Sequence, residues 1–147
     1  MKKSVKILLV LSVVLIAAAL FLLFARPLVR VVKERDEKGN IKWNLVITGL
    51  SFREFHAGDP LDSNFYKFEK LENGEWKACA FTPEGENVRS GLYLWYFNHP
   101  GMTRAVFPDF GFVYDLSAPG KYRVLVTIGN DVKFEHSFTL TRQFRVD

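Results

Sequence analysis

Cysteine is nearly absent from this chain of 147 residues, in which Cys79 is the only copy. A single thiol excludes an intrachain disulfide framework and a zinc site built on several cysteines. The sequence also lacks the nucleophile-elbow, P-loop and glycine-rich dinucleotide motifs. These absences argue against the common hydrolase, nucleotide-binding and zinc-dependent classes. They predict a protein with no enzymatic activity, no cofactor and no metal.

Acidic residues are missing from the first 27 positions, which carry the basic residues Lys2, Lys3, Lys6 and Arg26. Residues 28–147 hold 16 basic and 16 acidic side chains, so the formal net charge of +4 belongs entirely to the amino-terminal segment. A nucleic-acid-binding domain needs a basic stripe on its folded surface. The sequence therefore predicts no nucleic-acid binding, and the basic residues beside the apolar run are typical of helix ends at an anionic lipid surface.

Charged residues are also absent from residues 7–25, where Ser12 is the only polar side chain. As a helix rising about 1.5 Å per residue, this run is about 28 Å long, close to the hydrocarbon thickness of a bilayer. It predicts a signal-anchor over residues 1–27, a single span of the cytoplasmic membrane, and an extracytoplasmic domain over residues 28–147. The basic residues that precede the apolar run indicate that the amino terminus lies on the cytoplasmic side. The alternative is a signal peptide cleaved near the alanines at 17–19.

The segment after the span has two interpretations that the sequence leaves open. Apolar residues at 41, 43, 45 and 47 alternate with more polar neighbours, which is the period of a half-buried strand. Residues 28–48 are then a β-hairpin whose charged tip lies at 33–40. In the other interpretation the helix continues past Pro27 to about Lys38. Residues 49–63 and 82–91 read as loops.

Two further hairpins are indicated by their turn residues. Asn73-Gly74 is the strongest short-range hairpin signal, and a two-residue loop there predicts the pairs Leu71–Trp76, Phe68–Cys79 and Tyr66–Phe81. Cys79 then lies on the apolar face, where a free cysteine is a small, inert hydrophobe. The second hairpin turns at 129–131, and its strands alternate so regularly that His136 is predicted on the core face. Residues 110–116 show the same period-2 pattern.

Six to eight short strands without an amphipathic helix predict an all-β immunoglobulin-like sandwich preceded by one amino-terminal transmembrane helix. Tyr122 follows Pro119-Gly120, the position that a tyrosine corner occupies in such sandwiches.

Two stretches, Tyr66-Lys67-Phe68-Glu69-Lys70-Leu71-Glu72-Asn73-Gly74-Glu75-Trp76 and Leu116-Ser117-Ala118-Pro119-Gly120-Lys121-Tyr122-Arg123-Val124, resemble a bacterial immunoglobulin-like domain family found in cell-surface proteins and lipoproteins. The resemblance implies an extracytoplasmic, membrane-tethered sandwich, and the family has no defined catalytic residues to transfer. The chain departs from the family because it lacks a lipobox cysteine and carries a long aromatic insert at 82–112.

The polar residues give weak signals for chemistry. His56 and His99 are predicted to be exposed loop residues, and a hydrolase that uses either of them is the least favoured hypothesis. Asp59 and Asp62 lack the ligand spacing of an EF-hand, so we interpret Asp59-Pro60 as part of a turn.

Aromatic residues are denser around 93–114 than one strand face can bury. Exposed aromatic patches often mark partner sites, and the candidate partner surface is Trp95, Tyr96, Phe107 and Phe110. The alternative is that the insert folds back and covers its own aromatics. The sequence thus predicts a membrane-tethered binding or scaffolding module for an unknown protein or envelope polymer. Alternatives are a structural subunit of a larger membrane complex, or a secreted domain after cleavage.

Overall fold

The computed structural model describes residues 3–51, 53, 55–58, 62, 64–88, 101–107, 109–131 and 133–147. One long helix precedes a largely β-stranded chain. The elements, in chain order, are α1 (Lys3–Phe24), β1 (Leu28–Arg35), β2 (Ile41–Ser51), β3 (His56–Ala57), β4 (Tyr66–Glu72), β5 (Glu75–Ala78), α2 (Pro83–Val88), β6 (Gly101–Phe107), a 3₁₀ turn (Phe110–Phe112), β7 (Gly120–Gly129) and β8 (Ser137–Val146).

The strands form two antiparallel sheets. The first sheet has the order β1-β2-β6. In the second, β7 pairs along its whole length with β8 on one side, while β4 and the short β3 pair with it on the other side, and β5 extends the sheet beyond β4. This architecture confirms the all-β prediction at the level of two antiparallel sheets after an amino-terminal apolar helix.

The core lies between the two sheets and is rich in aromatic rings. Along β7 every second side chain is buried, as the period-2 pattern predicts. Rings from opposite sheets meet at two points: Trp43 lies 5.6 Å from Phe144, and Phe107 lies 6.2 Å from Tyr66 between ring centroids. The domain is therefore closed by contacts that join residues far apart in the sequence.

The helix is followed almost at once by the first sheet. Residues 4–23 of α1 are long and apolar enough to cross a membrane, and none of this stretch is buried, although a signal sequence can have the same length and apolar character. Pro27 is fully buried, and β1 begins at Leu28. The hairpin interpretation of 28–48 is confirmed, because β1 pairs antiparallel with β2. The extension of the helix to about Lys38 is wrong, because Pro27 has no amide hydrogen with which to continue the helical hydrogen bonding.

The β4–β5 hairpin has the predicted register at its turn. Leu71 is paired with Trp76, and the Cys79 amide donates to the Phe68 carbonyl at 2.8 Å. The predicted Tyr66–Phe81 pair is wrong, because Phe81 instead forms an isolated bridge with Tyr114.

Four segments differ from the sequence prediction in their local structure. Residues 83–88 of the predicted 82–91 loop form the short helix α2, and β2 and β3 extend into the predicted 49–63 loop. Residues 110–112 form a 3₁₀ turn instead of strand. The β7–β8 turn is longer than predicted, since Gly129 pairs with Ser137. His136 consequently lies in the turn with its side chain exposed, which corrects its predicted place on the core face.

Candidate functional site

The predicted aromatic partner surface does not come together as one exposed patch among the described residues. Trp95 and Tyr96 lie outside the described residues, as does His99. Phe107 is half-buried and packs against the core. Phe110 is 0% exposed and lies in the centre of the core. Phe110 therefore belongs to the packing of the two sheets and not to an exposed surface.

The histidines do not assemble a reactive site in the part of the chain that the structure describes. His56 is 4% exposed in β3, which corrects its predicted exposure, and its Nδ1 has no hydrogen-bond partner among the described residues. The His136 Nδ1 lies 3.5 Å from the Asp131 carboxylate. Among the described residues, no three or more His, Cys, Asp or Glu side chains lie together in a way that could hold a metal ion. Asp62 accepts the Asn64 amide in a turn, and Asp59 lies outside the described residues.

The thiol of Cys79 is held in its protonated form by its surroundings. Its side chain is half-buried and packs against the core. Burial, reinforced by the Asp115 carboxylate, raises the pKa of the Cys79 thiol from 9.0 to about 11. A nucleophilic cysteine needs the opposite shift, because the thiolate is the reactive form.

We expect Cys79 to react slowly with iodoacetamide in the folded protein. At about pH 8, a pKa raised by about two units lowers the thiolate fraction about a hundredfold, and we expect the alkylation rate to fall by about the same factor. The same chain unfolded in urea is the control, since its Cys79 is solvated. Equal alkylation rates in the folded and unfolded chains would contradict an inert thiol.

An open groove of about 360 Å³ includes Ile41, which pairs with Arg35 at the end of β1 remote from α1. Ile41 and Phe112 are 45% and 50% exposed at this groove, and Trp43 is largely buried beneath them. The groove residues come from β2, the start of α2, the 3₁₀ turn and the segment before β7; they are Ile41, Trp43, Thr82, Asp109, Gly111, Phe112, Asp115, Leu116 and Ser117.

Thr82 ties two walls of the groove together. Its hydroxyl accepts the Gly85 amide at 2.9 Å, so Thr82 caps the first turn of α2. The same hydroxyl donates to the carbonyl of Phe112 in the 3₁₀ turn. The Thr82 amide adds a hydrogen bond of 2.9 Å to the Val113 carbonyl. These bonds fix α2 against the turn that presents Phe112.

Two carboxylates give the groove its polar character. Asp109 has a left-handed backbone conformation, and its amide donates to Asn44 Oδ1 at 2.9 Å. Hydrogen bonds from the Ser117 hydroxyl and amide lower the pKa of Asp115, so this carboxylate carries its charge at neutral pH. The described residues that line the groove include no lysine or arginine. The lining therefore combines exposed apolar side chains with two carboxylates, while Lys33 lies over the Trp43 ring with its Nζ 5.4 Å from the centroid, and the charge of Lys70 also lowers the pKa of Asp115.

No protein-family model matches the chain, and no curated protein or solved structure matches it at a significant level. No residue role can accordingly be transferred from a relative. The candidate site depends on its geometry alone.

Proposed function

We propose that this protein is a non-catalytic binding module, tethered to the cytoplasmic membrane by α1, with an immunoglobulin-like sandwich on the extracytoplasmic side. The module uses the groove at the end of the sheets remote from α1 to bind a segment of a partner protein. That segment pairs a lysine or arginine with apolar side chains. The observation that carries the proposal is the open groove in which Ile41 and Phe112 lie beside the carboxylates Asp109 and Asp115.

The tether is supported by the way in which the helix joins the sheet. Only residues 25–27 separate α1 from β1, and Pro27 is buried in the domain. Arg26 lies over the ring of Phe138 in β8, with its guanidinium carbon 5.1 Å from the ring centroid. Strand β1 has 8 residues, and at about 3.3 Å per residue it spans about 26 Å. A domain joined in this way presents the groove well away from the bilayer.

The cationic partner is supported by the charge and exposure of the groove. A lysine or arginine inserted between Asp109 and Asp115 gains charge-assisted hydrogen bonds, which are stronger than neutral ones. The exposed sides of Ile41 and Phe112 supply apolar area for the neighbouring side chains of the same segment. Opposite charges at an interface also speed association and exclude acidic partners.

The immunoglobulin-like assignment is supported by one hydrogen bond in addition to the two sheets. Tyr122 lies at the start of β7, is 1% exposed, and donates its hydroxyl to the Ala118 carbonyl at 2.6 Å. This bond back to a residue a few positions upstream is the arrangement of a tyrosine corner. Burial raises the pKa of the Tyr122 hydroxyl, so it remains a donor at neutral pH.

The proposal is tested by selecting peptides from a random library on the full-length protein in nanodiscs. We expect the selected peptides to carry Lys or Arg beside an apolar residue. We expect Asp115→Asn and Phe112→Ser each to weaken their binding about tenfold, which corresponds to about 1.4 kcal/mol. Lys67→Gln is the matched control, because Lys67 is exposed on β4 and does not line the groove.

Four outcomes would contradict this assignment. Peptides without basic residues would exclude the charge-based partner, and unchanged binding to Phe112→Ser would place the site elsewhere. Selected peptides that lose affinity only on Trp95→Ser would instead favour the aromatic segment predicted from the sequence. Replacing residues 7–25 by an unrelated apolar helix should leave peptide binding unchanged, whereas loss of binding would favour a subunit whose span makes the functional contacts.

A further inference from the structure

The strands β1 and β8 are edge strands that run side by side. Within the described sheets β1 pairs only with β2, and β8 pairs only with β7. The two edges are in contact across the core. They run in the same direction, because Arg26 before β1 lies over Phe138 in β8, and Trp43, paired with the second half of β1, lies 5.6 Å from Phe144 between ring centroids. Together these edges form one side of the domain.

This side of the domain carries an excess of positive charge. Residues 28–147 hold 16 basic and 16 acidic side chains, and β1 and β8 account for five of the basic residues but only one of the acids, Glu34. The remaining 11 basic and 15 acidic residues belong to other parts of the domain. A domain that is neutral by composition is thus polarised by its fold.

Three of the five cations lie on the faces of β1 and β8 that enclose the core. Arg142 is paired with Val124, which is 0% exposed, and Lys33 is paired with the largely buried Trp43. Paired residues share one face of a sheet, and Arg35 has the same face as Lys33, two positions earlier. All three cations are nevertheless exposed, since both strands are edges. We call Lys33, Arg35 and Arg142 the cationic seam.

The cationic seam has no acidic partner in the described parts of the chain. None of its three residues forms an ion pair there. Glu34 lies on the opposite face of β1, where its carboxylate accepts a hydrogen bond from the Asn44 side chain at 2.7 Å. Asp36 follows β1, but its carboxylate closes the turn by accepting the amides of Lys38 and Asn40 at 2.9 Å each.

The acids outside the described residues are Glu54 and Asp59. Each is two positions from β3 in the sequence, and β3 pairs with residues 128–129 of β7, on the side of β7 opposite to β8. Arg142 is paired with Val124, which lies about 13 Å further along β7. The strand that these two acids flank is thus separated from the cationic seam by β7.

We propose that the cationic seam binds a linear polymer of phosphodiesters. A guanidinium matches a phosphate with a planar fork of donors, and a lysine adds a point charge. Lys33 lies about 7 Å beyond Arg142 along the strands, since it lies over Trp43 beside Phe144, and Arg35 follows after about another 7 Å. A polymer that lies along the two edges contacts all three cations in succession. In the orientation proposed above, the partner is a polymer of the cell envelope.

The exposed surface of the two strands favours such a polymer over a protein segment, a nucleic acid or a lipid surface. On β1 and β8, both fully described, Leu28 is the only large apolar side chain that is exposed, whereas protein interfaces bury aromatic and apolar anchors. Proteins that bind single-stranded nucleic acids likewise present aromatic rings for base stacking. The cationic seam also extends away from α1, so with α1 in a bilayer the lipid surface cannot contact its three cations at once.

The test measures the binding of fluorescein-labelled poly(glycerol phosphate) to the full-length protein in phosphatidylcholine nanodiscs by fluorescence anisotropy. We expect Lys33→Gln and Arg142→Gln each to weaken binding about threefold, the usual size of an exposed ion pair, and the double variant to weaken it about tenfold. The logarithm of the binding constant should fall with the logarithm of the salt concentration with a slope of about −2, since each phosphate engaged on a flexible strand contributes about −0.7. Each substitution should make the slope shallower by about 0.7, which a purely structural effect would not do.

Lys67→Gln is the matched control, because Lys67 is an exposed lysine on β4, which β7 separates from β8. An equal loss in Lys67→Gln would mean that only net charge matters, and no binding at low salt would mean that the cationic seam has no such partner. Tighter binding of poly-L-glutamate or of single-stranded DNA would assign the seam to an acidic protein segment or to a nucleic acid. Each of these results overturns the proposal.

The variant Phe112→Ser separates the cationic seam from the groove. We expect it to leave the binding of poly(glycerol phosphate) unchanged, because Phe112 lies in the 3₁₀ turn and not on β1 or β8. Loss of polymer binding in this variant would place the polymer in the groove and overturn the proposal. Near-ultraviolet circular dichroism reports the folding of every variant.

Discussion

Replacing Phe110 by alanine is expected to lower the free energy of unfolding by about 3–5 kcal/mol, whereas replacing Phe112 costs less than about 1 kcal/mol. The two residues lie in the same 3₁₀ turn, two positions apart. Phe110 is 0% exposed, while Phe112 is 50% exposed beside the groove. The pair therefore separates core packing from surface packing with the same chemical change.

The large cost at Phe110 follows from the rings that surround it. Its centroid lies 4.6 Å from that of Phe68 in a stacked arrangement, and 5.9 Å from that of Phe144 in an edge-to-face arrangement. Phe107 from the other sheet lies 6.3 Å away. Removing the Phe110 ring leaves a cavity between the sheets that these large, mutually packed rings cannot fill by small movements.

Urea unfolding of the protein in nanodiscs, followed by near-ultraviolet circular dichroism, measures both variants. A Phe110→Ala protein as stable as Phe112→Ala would show that Phe110 lies outside the core. The two changes should also affect peptide binding to different extents at matched folded fractions. We expect Phe112→Ala to weaken peptide binding, because the Phe112 ring is part of the groove. We expect the folded fraction of Phe110→Ala to bind peptide with nearly the affinity of the parent protein.

Regular alternation and turn chemistry made much of the β-architecture predictable from the sequence. The alternation along 122–128 places its apolar side chains on one face, and the structure buries that face in the central strand β7. The turn at Asn73-Gly74 fixes the pairing of Leu71 with Trp76, because a two-residue loop allows one register. Both signals are local, so no tertiary information is needed to interpret them.

The misplacement of Phe110 shows where local patterns fail. Spacing by two puts residues on one face of a strand, but a 3₁₀ turn has three residues per turn, and residues two apart then point in different directions. Phe110 therefore enters the core while Phe112 faces solvent. His56 was misplaced for a related reason, because it is buried by pairing with Gly129, more than seventy positions away.

The groove could not be found from the sequence, because its walls meet only in the folded chain. Ile41 and Trp43 come from β2, while Asp115 and Ser117 come from the segment before β7. No motif spacing connects these residues. The aromatic residues around 109–115 were a local signal of the groove, but they recur at every second position, as residues on one face of a strand do. The direction in which Phe112 points depends on how α2 packs beneath the turn.

That packing makes Gly85→Ala the second large expected effect, with a loss of about 3 kcal/mol of stability. In an exposed helix, changing glycine to alanine stabilises by about 1 kcal/mol. At Gly85 the added Cβ would lie 2.2 Å from the Val113 carbonyl oxygen and 2.8 Å from the Val113 Cα. These are backbone atoms, so no rotamer change relieves the contact, and the clash outweighs the gain in helix propensity.

The control for Gly85→Ala is Glu84→Ala, one position earlier on the exposed side of α2. We expect it to change the stability by less than about 0.5 kcal/mol in the same urea unfolding experiment. If Gly85→Ala proved as stable as the parent protein, α2 would not be packed against Val113.

The two walls of the groove are joined at α2, because Thr82 caps α2 and its hydroxyl donates a hydrogen bond to the turn that carries Phe112. Displacing α2 should therefore also weaken peptide binding, so a loss of both properties in Gly85→Ala alone would identify this contact as the support of the site.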